Sequence, residues 1–147
     1  MIPITQTKLV TTHRFGNCFP AAIASLLELP LDEVPNVEIF FGLKGQDEHY
    51  WMDVMNKFLE SKNLTLRNAN EYFNTFHSSI AVLFSEEERK ENAKALNIWD
   101  EFYLAIGKSS RGVMHNVIMK NGLMVHDPHP SREGLIDIQY CEVIEEM

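Results

Sequence analysis

Residues 13–27, HRFGNCFPAAIASLL, set a cysteine between a turn and a helix, and the reading of that junction decides the fold. Gly16-Asn17 is turn chemistry, asparagine is a favoured N-cap, and Pro20 is tolerated only in a helix's first turn, where its missing N–H would have no partner anyway. Cys18 is therefore expected as about the first residue of a helix running to Leu29. Its apolar residues, Phe19, Ala21, Ala22, Ile23, Ala24, Leu26 and Leu27, surround the axis instead of forming one stripe, which marks a central helix covered on most sides. A thiol at such a helix start lies where unpaired N–H groups point outward and the helix dipole favours the thiolate. Position alone leaves two readings open, a reactive thiol and a small packing residue.

The 147 residues, 45% of them hydrophobic, suit a single domain over 1–147 with one continuous core. Two cysteines, Cys18 and Cys141, are too few for a disulfide scaffold. The opening MIPITQTKLV lacks the basic start and long apolar run of a secretion signal, so a reducing, cytoplasmic setting is expected. No apolar run approaches the roughly 20 residues that span a bilayer, so no membrane association is expected. A net charge of −8 argues against nucleic acid, whose phosphates need a basic face.

Residues 1–16 read as irregular, and ELPLDEVPNV breaks the first helix with two prolines. A second helix is expected over about Asp47–Lys62, with Trp51 packing in the core or lining a pocket. NLTLRNA and SSIAVLF read as short strands. SEEERKENAKALN is a polar helix in which Ser85 and Glu88 have capping-box spacing and the acids precede the lysines, as the dipole favours. DEFYLAIGKSS, GVMHNVIMK, LMVHDPH and LIDIQYCEVIE then follow as strands, so the class is α+β, helices first and an antiparallel sheet second.

A cysteine nucleophile needs a base within hydrogen-bond reach, a group that orients the base, and donors for the developing oxyanion. His115 lies on a strand, and Asp127 ends the next strand of a hairpin. Taken singly they read as a packing histidine and a turn aspartate; with Cys18 they complete a nucleophile, base and orienter. For both to share a face, Lys120-Asn121-Gly122 must form a three-residue loop that pairs Met119 with Leu123 and His115 with Asp127, or a bulge must produce the same one-residue effect. A two-residue Asn121-Gly122 turn alone would set Asn116 opposite Asp127. His115, His126, Asp127 and His129 also invite a metal reading, but adjacent strand residues face opposite ways and no CxxC or HExxH spacing is present, so neither metal nor cofactor is expected. Ser109, Arg111 and Gly112 of the KSSRG loop, with Asn17, are candidates for substrate contact; a solvated loop is the alternative for the first three.

The blocks QT…GNCFPAAIASLLELPLDEVP and YLAIGKSSRGVMHNVIMKNGLMVHDPHPS resemble small bacterial and phage proteins of the papain-like superfamily, close to the bacteriocin-leader (double-glycine) peptidases. The resemblance covers residues 1–36 and about 103–134. It implies a papain-like fold, a central catalytic helix packed on a C-terminal antiparallel sheet, with Cys18 as nucleophile, His115 as base and acid, and Asp127 as orienter. In such enzymes an upstream glutamine and the cysteine N–H hold the oxyanion. Gln6, twelve residues before Cys18, is the one upstream glutamine and is preferred to Asn17, whose side chain is expected to cap the helix. GNCF is also similar to the ovarian-tumour-type deubiquitinases, but Phe15 replaces their acidic residue and the H-x11-D spacing suits the bacteriocin-processing type better. The resemblance implies a hydrolase, peptidase or amidase, acting on a peptide or amide through a thioester. A thiol acyltransferase, a deubiquitinase-like isopeptidase and a non-catalytic peptide-binding module on the same fold are the alternatives.

Overall fold

The helix expected at Cys18 is α1, Cys18–Leu27, in a computed structural model that describes residues 1–11, 15–40 and 50–147. It stops short of Leu29 because Glu28 takes the left-handed conformation (φ 58°), and the N–H groups of Glu28 and Leu29 turn back to the carbonyls of Ala24 and Ser25. Phe19 through Ser25 are all buried, as a central helix requires. The two prolines that follow lead into short 3-10 turns, Leu31–Glu33 and Val37–Phe40. The second helix, α2, is Tyr50–Glu60; the expected start at 47–49 lies outside the described residues. Trp51 packs edge-to-face on Phe19 at 5.7 Å, which gives it a core role beside α1.

Next come β1 (Leu64–Asn68), α3 (Asn70–Phe76) and α4 (Glu86–Ala95). The Ser85–Glu88 capping box of α4 forms in both directions. SSIAVLF is not a strand: Ser78 Oγ accepts from the Ala81 N–H, and Ala81–Leu83 form a 3-10 turn that leaves Ile80, Val82 and Leu83 exposed. The remaining strands are β2 (Phe102–Ser109), β3 (Met114–Lys120), β4 (Leu123–His126) and β5 (Leu135–Glu146). All pairings are antiparallel, in the order β1-β5-β2-β3-β4. Among the described residues no helix is long and apolar enough to cross a membrane.

Strand alternation divides the core between the two faces of this sheet. Leu104, Ile106 and Ile118 pack against α1 and α2 on one face. Tyr103, Ala105, Val117, Met119, Cys141 and Val143 pack against α3 and α4 on the other. Gly107, opposite His115, lies where β5 shifts register against β2, so close that a Cβ there would sit 1.8 Å from the Asp137 carbonyl oxygen. Gly107→Ala must therefore push β5 off β2. The expected loss is about 3 kcal/mol or more, read from the urea midpoint, and an unchanged midpoint would show that the strands do not meet there.

The β3–β4 hairpin is where the expected register and the observed one differ. Lys120 pairs with Leu123 around a two-residue turn, with Asn121 and Gly122 both at positive φ (56° and 80°), so the three-residue loop does not form. Met119 pairs with Met124, but Ile118 pairs with His126, and Val125 is the extra residue of a bulge. The bulge shifts β4 by one residue and restores the parity: the continued register sets Asp127 opposite Val117, diagonal to His115 and on the same face.

Candidate active site

Three segments meet at the start of α1. Because β4 ends at His126, against Ile118, β3 has no strand neighbour on that side before Ile118 among the described residues. Cys18 reaches this open edge. Its sulfur accepts from the Asn116 backbone N–H and, at 3.6 Å, from Asn116 Nδ2, and it is hydrogen-bonded to His115. Neighbouring strand residues point to opposite faces, so the His115 and Asn116 side chains leave β3 on opposite sides, and both interact with the sulfur. Cys18 is half-buried, whereas His115 and Asp127 are buried.

His115 Nε2 lies 2.5 Å from Asp127 Oδ1, which leaves Nδ1 as the ring nitrogen for the sulfur. Asp127 is itself fixed: Oδ1 accepts from the His129 N–H (2.9 Å) and Oδ2 from the Gly134 N–H (2.8 Å). Its backbone carbonyl accepts from Arg132 Nη1, whose partner Nη2 donates to Thr5 Oγ1 at 2.6 Å. The segment before α1 is tied to the same loop, with Gln6 N donating to the Pro128 carbonyl (2.9 Å) and His126 Nε2 to the Ile4 carbonyl (2.8 Å).

The electrostatics follow from these contacts. Burial alone would push the Cys18 thiol up, but the hydrogen bond and charge of His115, joined by the Asn116 donors, hold it below its ordinary value. Burial alone would lower His115; its hydrogen bonds to Asp127 and Cys18, with their charges, push it up to about 9. Burial would raise Asp127, yet His115 and the two backbone N–H groups hold it at about 2. At neutral pH His115 is an imidazolium and Asp127 a carboxylate, and the Cys18 thiol is biased toward the thiolate. Cys141 is the contrast: fully buried, and pushed up to about 12 by that burial and by the charges of Glu142 and Glu71.

Several expected site residues have other work. Asn17 does not cap α1; its Oδ1 accepts from the N–H groups of Thr7 and Lys8 (3.0 and 2.8 Å) and its Nδ2 donates to Thr7 Oγ1, fastening the preceding segment to the helix start. Among the described residues no side-chain cap hydrogen bond is made at that start, and Pro20 has no N–H, so the first-turn N–H groups of α1 are left uncapped by side chains. Gln6 is buried, with Nε2 donating to the Lys8 carbonyl (2.8 Å) and Oε1 without a hydrogen-bond partner among the described residues. Ser109 is fully buried and closes the β2–β3 turn through Oγ to the Val113 carbonyl (3.0 Å), so it faces no substrate. Arg111 is exposed and donates to Ser131 Oγ (3.3 Å), and exposed Gly112 supplies the turn's positive φ. Among the described residues no group of three or more His, Cys, Asp and Glu side chains could hold a metal ion.

Asn116 is the site residue that the sequence reading passed over. Its position beside a candidate catalytic histidine was a signal, because a strand neighbour of His115 must flank whatever His115 approaches edge-on. Comparison with protein-family models, with curated proteins and with solved structures found no match to this chain.

Proposed function

We propose that the protein is a papain-like, cysteine-dependent hydrolase, a peptidase or amidase, in which Cys18 is the nucleophile, His115 the acid and base, and Asp127 the residue that orients His115. What supports the reading is one continuous hydrogen-bonded chain, from Cys18 through His115 to an Asp127 held by two backbone N–H groups, at a half-buried helix start. A packing cysteine needs none of this. The thiolate attacks the substrate carbonyl, the oxyanion draws on the Cys18 N–H, and the His115 imidazolium gives its proton to the leaving amine. Water then attacks the thioester, giving its proton to His115 as the thiolate leaves. Both cysteines are free thiols, which suits the cytoplasmic setting expected from the sequence.

The test is site-resolved labelling by iodoacetamide at neutral pH, read by mass spectrometry. Cys18 should react at least about 10³-fold faster than Cys141, whose thiolate is scarce and whose sulfur is covered. Equal rates in the native protein would overturn the assignment of Cys18. A thioester on Cys18, trapped at low pH after exposure to an activated ester, is the second expected result.

A further inference from the structure

The carbonyl oxygen of a bound acyl group becomes an anion as the sulfur attacks, and it needs donors on a side separate from the one where the leaving group takes its proton. The alternation of β3 provides that separation. His115 and Asn116 are adjacent on β3, so their side chains leave the strand on opposite faces, and Asn116 Nδ2 lies 3.6 Å from the Cys18 sulfur. Gln6, the donor that the papain resemblance suggests, is differently engaged. One N–H of its Nε2 goes to the Lys8 carbonyl at 2.8 Å, and that nitrogen would lie 3.1 Å from a Cβ on Gly16, packed against the turn before α1.

We propose that the Asn116 side-chain amide, in place of Gln6, is the second oxyanion donor beside the Cys18 N–H. The inference rests on the hydrolase reading above. In the resting site Asn116 Nδ2–H points at the sulfur; when a sulfur lone pair forms the S–C bond, the carbonyl π pair moves onto oxygen. The amide then transfers its hydrogen bond to that oxygen, one bond beyond the new S–C bond. Collapse restores the C=O, expels the leaving group and returns the amide toward sulfur at the next turnover. Asn116 thereby touches the reacting atoms in both states, which makes it a catalytic residue.

Two probes separate this role from simple stabilisation of the thiolate. Iodoacetamide alkylates sulfur by displacing iodide and builds no oxyanion; p-nitrophenyl acetate acylates it through one, with a leaving group that needs no acid. With each variant compared on its own high-pH plateau, Asn116→Ala should acylate on the order of 10²-fold more slowly while alkylation stays within about threefold of the parent. Asn116→Asp, nearly isosteric but without N–H donors, should show the same split and stands in if the alanine variant fails to fold. Gln6→Ala should lower the acylation-to-alkylation ratio less than either. Equal losses in both reactions, or a larger loss of the ratio in Gln6→Ala, would overturn the role of Asn116 alone. A parent protein that p-nitrophenyl acetate does not acylate at Cys18 would overturn the hydrolase reading itself, and this inference with it.

Discussion

His115→Ala is expected to slow alkylation of Cys18 at pH 6 by on the order of 10²-fold. Burial opposes the thiolate, and His115 is the largest influence working for it. With the imidazole gone, the Asn116 donors face burial alone and the thiol returns to about its ordinary value or above, so roughly one part in 10³ is ionised at pH 6. A low-pKa thiolate is intrinsically the weaker nucleophile, which is why the expected rate change is smaller than the change in ionised fraction. The pH profiles should differ in shape as well. Alkylation of the parent should climb less steeply through the neutral range than that of the variant, which climbs about tenfold per pH unit toward pH 9. Amide hydrolysis by the parent should also fall as pH rises through about 9, where His115 loses the proton owed to the leaving amine, while alkylation does not fall. Superimposable alkylation profiles for parent and variant would mean that the two residues do not interact.

Asp127→Asn should cost both activity and stability, although it changes only a single oxygen to nitrogen. Three donors converge on two carboxylate oxygens: His115 and the His129 N–H on Oδ1, the Gly134 N–H on Oδ2. An asparagine keeps one acceptor. If that oxygen faces His115, the amide nitrogen meets the Gly134 N–H donor to donor; if the group is flipped, Gly134 is satisfied and His115 loses its partner. The first arrangement leaves a buried donor unsatisfied, at about 2 kcal/mol, and the second frees the imidazole to turn from the sulfur. Amide hydrolysis is expected to fall on the order of 10²-fold, with a lower urea midpoint. The pH dependence of stability supplies a check. Because Asp127 is held at about 2 against an ordinary 3.8, its contribution is present above 3.8 and is lost as pH falls through about 2. The stability gap between parent and variant should therefore close across that acid window. A gap that stays constant there would remove Asp127 from the network.

Much of this arrangement was written in local chemistry. Asn17 and Pro20 bracket the start of α1 tightly enough to set Cys18 at its first turn, and Ser85 with Glu88 marks the start of α4 as directly. The apolar runs of β2 and β3 likewise read as strands, because most of each is buried, whereas β5 buries only Cys141 and Val143 and reads as a strand from its composition. The sequence was silent where several local solutions serve the same end. His115 and Asp127 had to share a face, and a three-residue loop or a two-residue turn with a bulge both achieve it; Val125, exposed on an edge strand, bears no mark of being the bulged residue. SSIAVLF has strand composition, but composition does not reveal that Ser78 will take the Ala81 N–H. Asn17 has a capper's chemistry, yet the Thr7 and Lys8 amides, about ten residues upstream, claim its side chain. In each case a partner distant in sequence, or one of two equivalent backbone paths, made the decision.

Sulfur and strand meet across 98 positions of the chain, from Cys18 to Asn116, and Asp127 comes later still. Ribosomes add about 5–20 residues per second, so α1 is made roughly 5–20 s before the strand that meets its thiol. Throughout that interval Cys18 has neither its imidazole nor its edge-on amides, and its thiol titrates as a free cysteine does. Contacts of such long sequence separation also close late in folding, once the entropy of the intervening loop has been overcome. On the proposed reading the nascent protein is consequently chemically mute: its sulfur gains the partners that would activate it only with the completed fold.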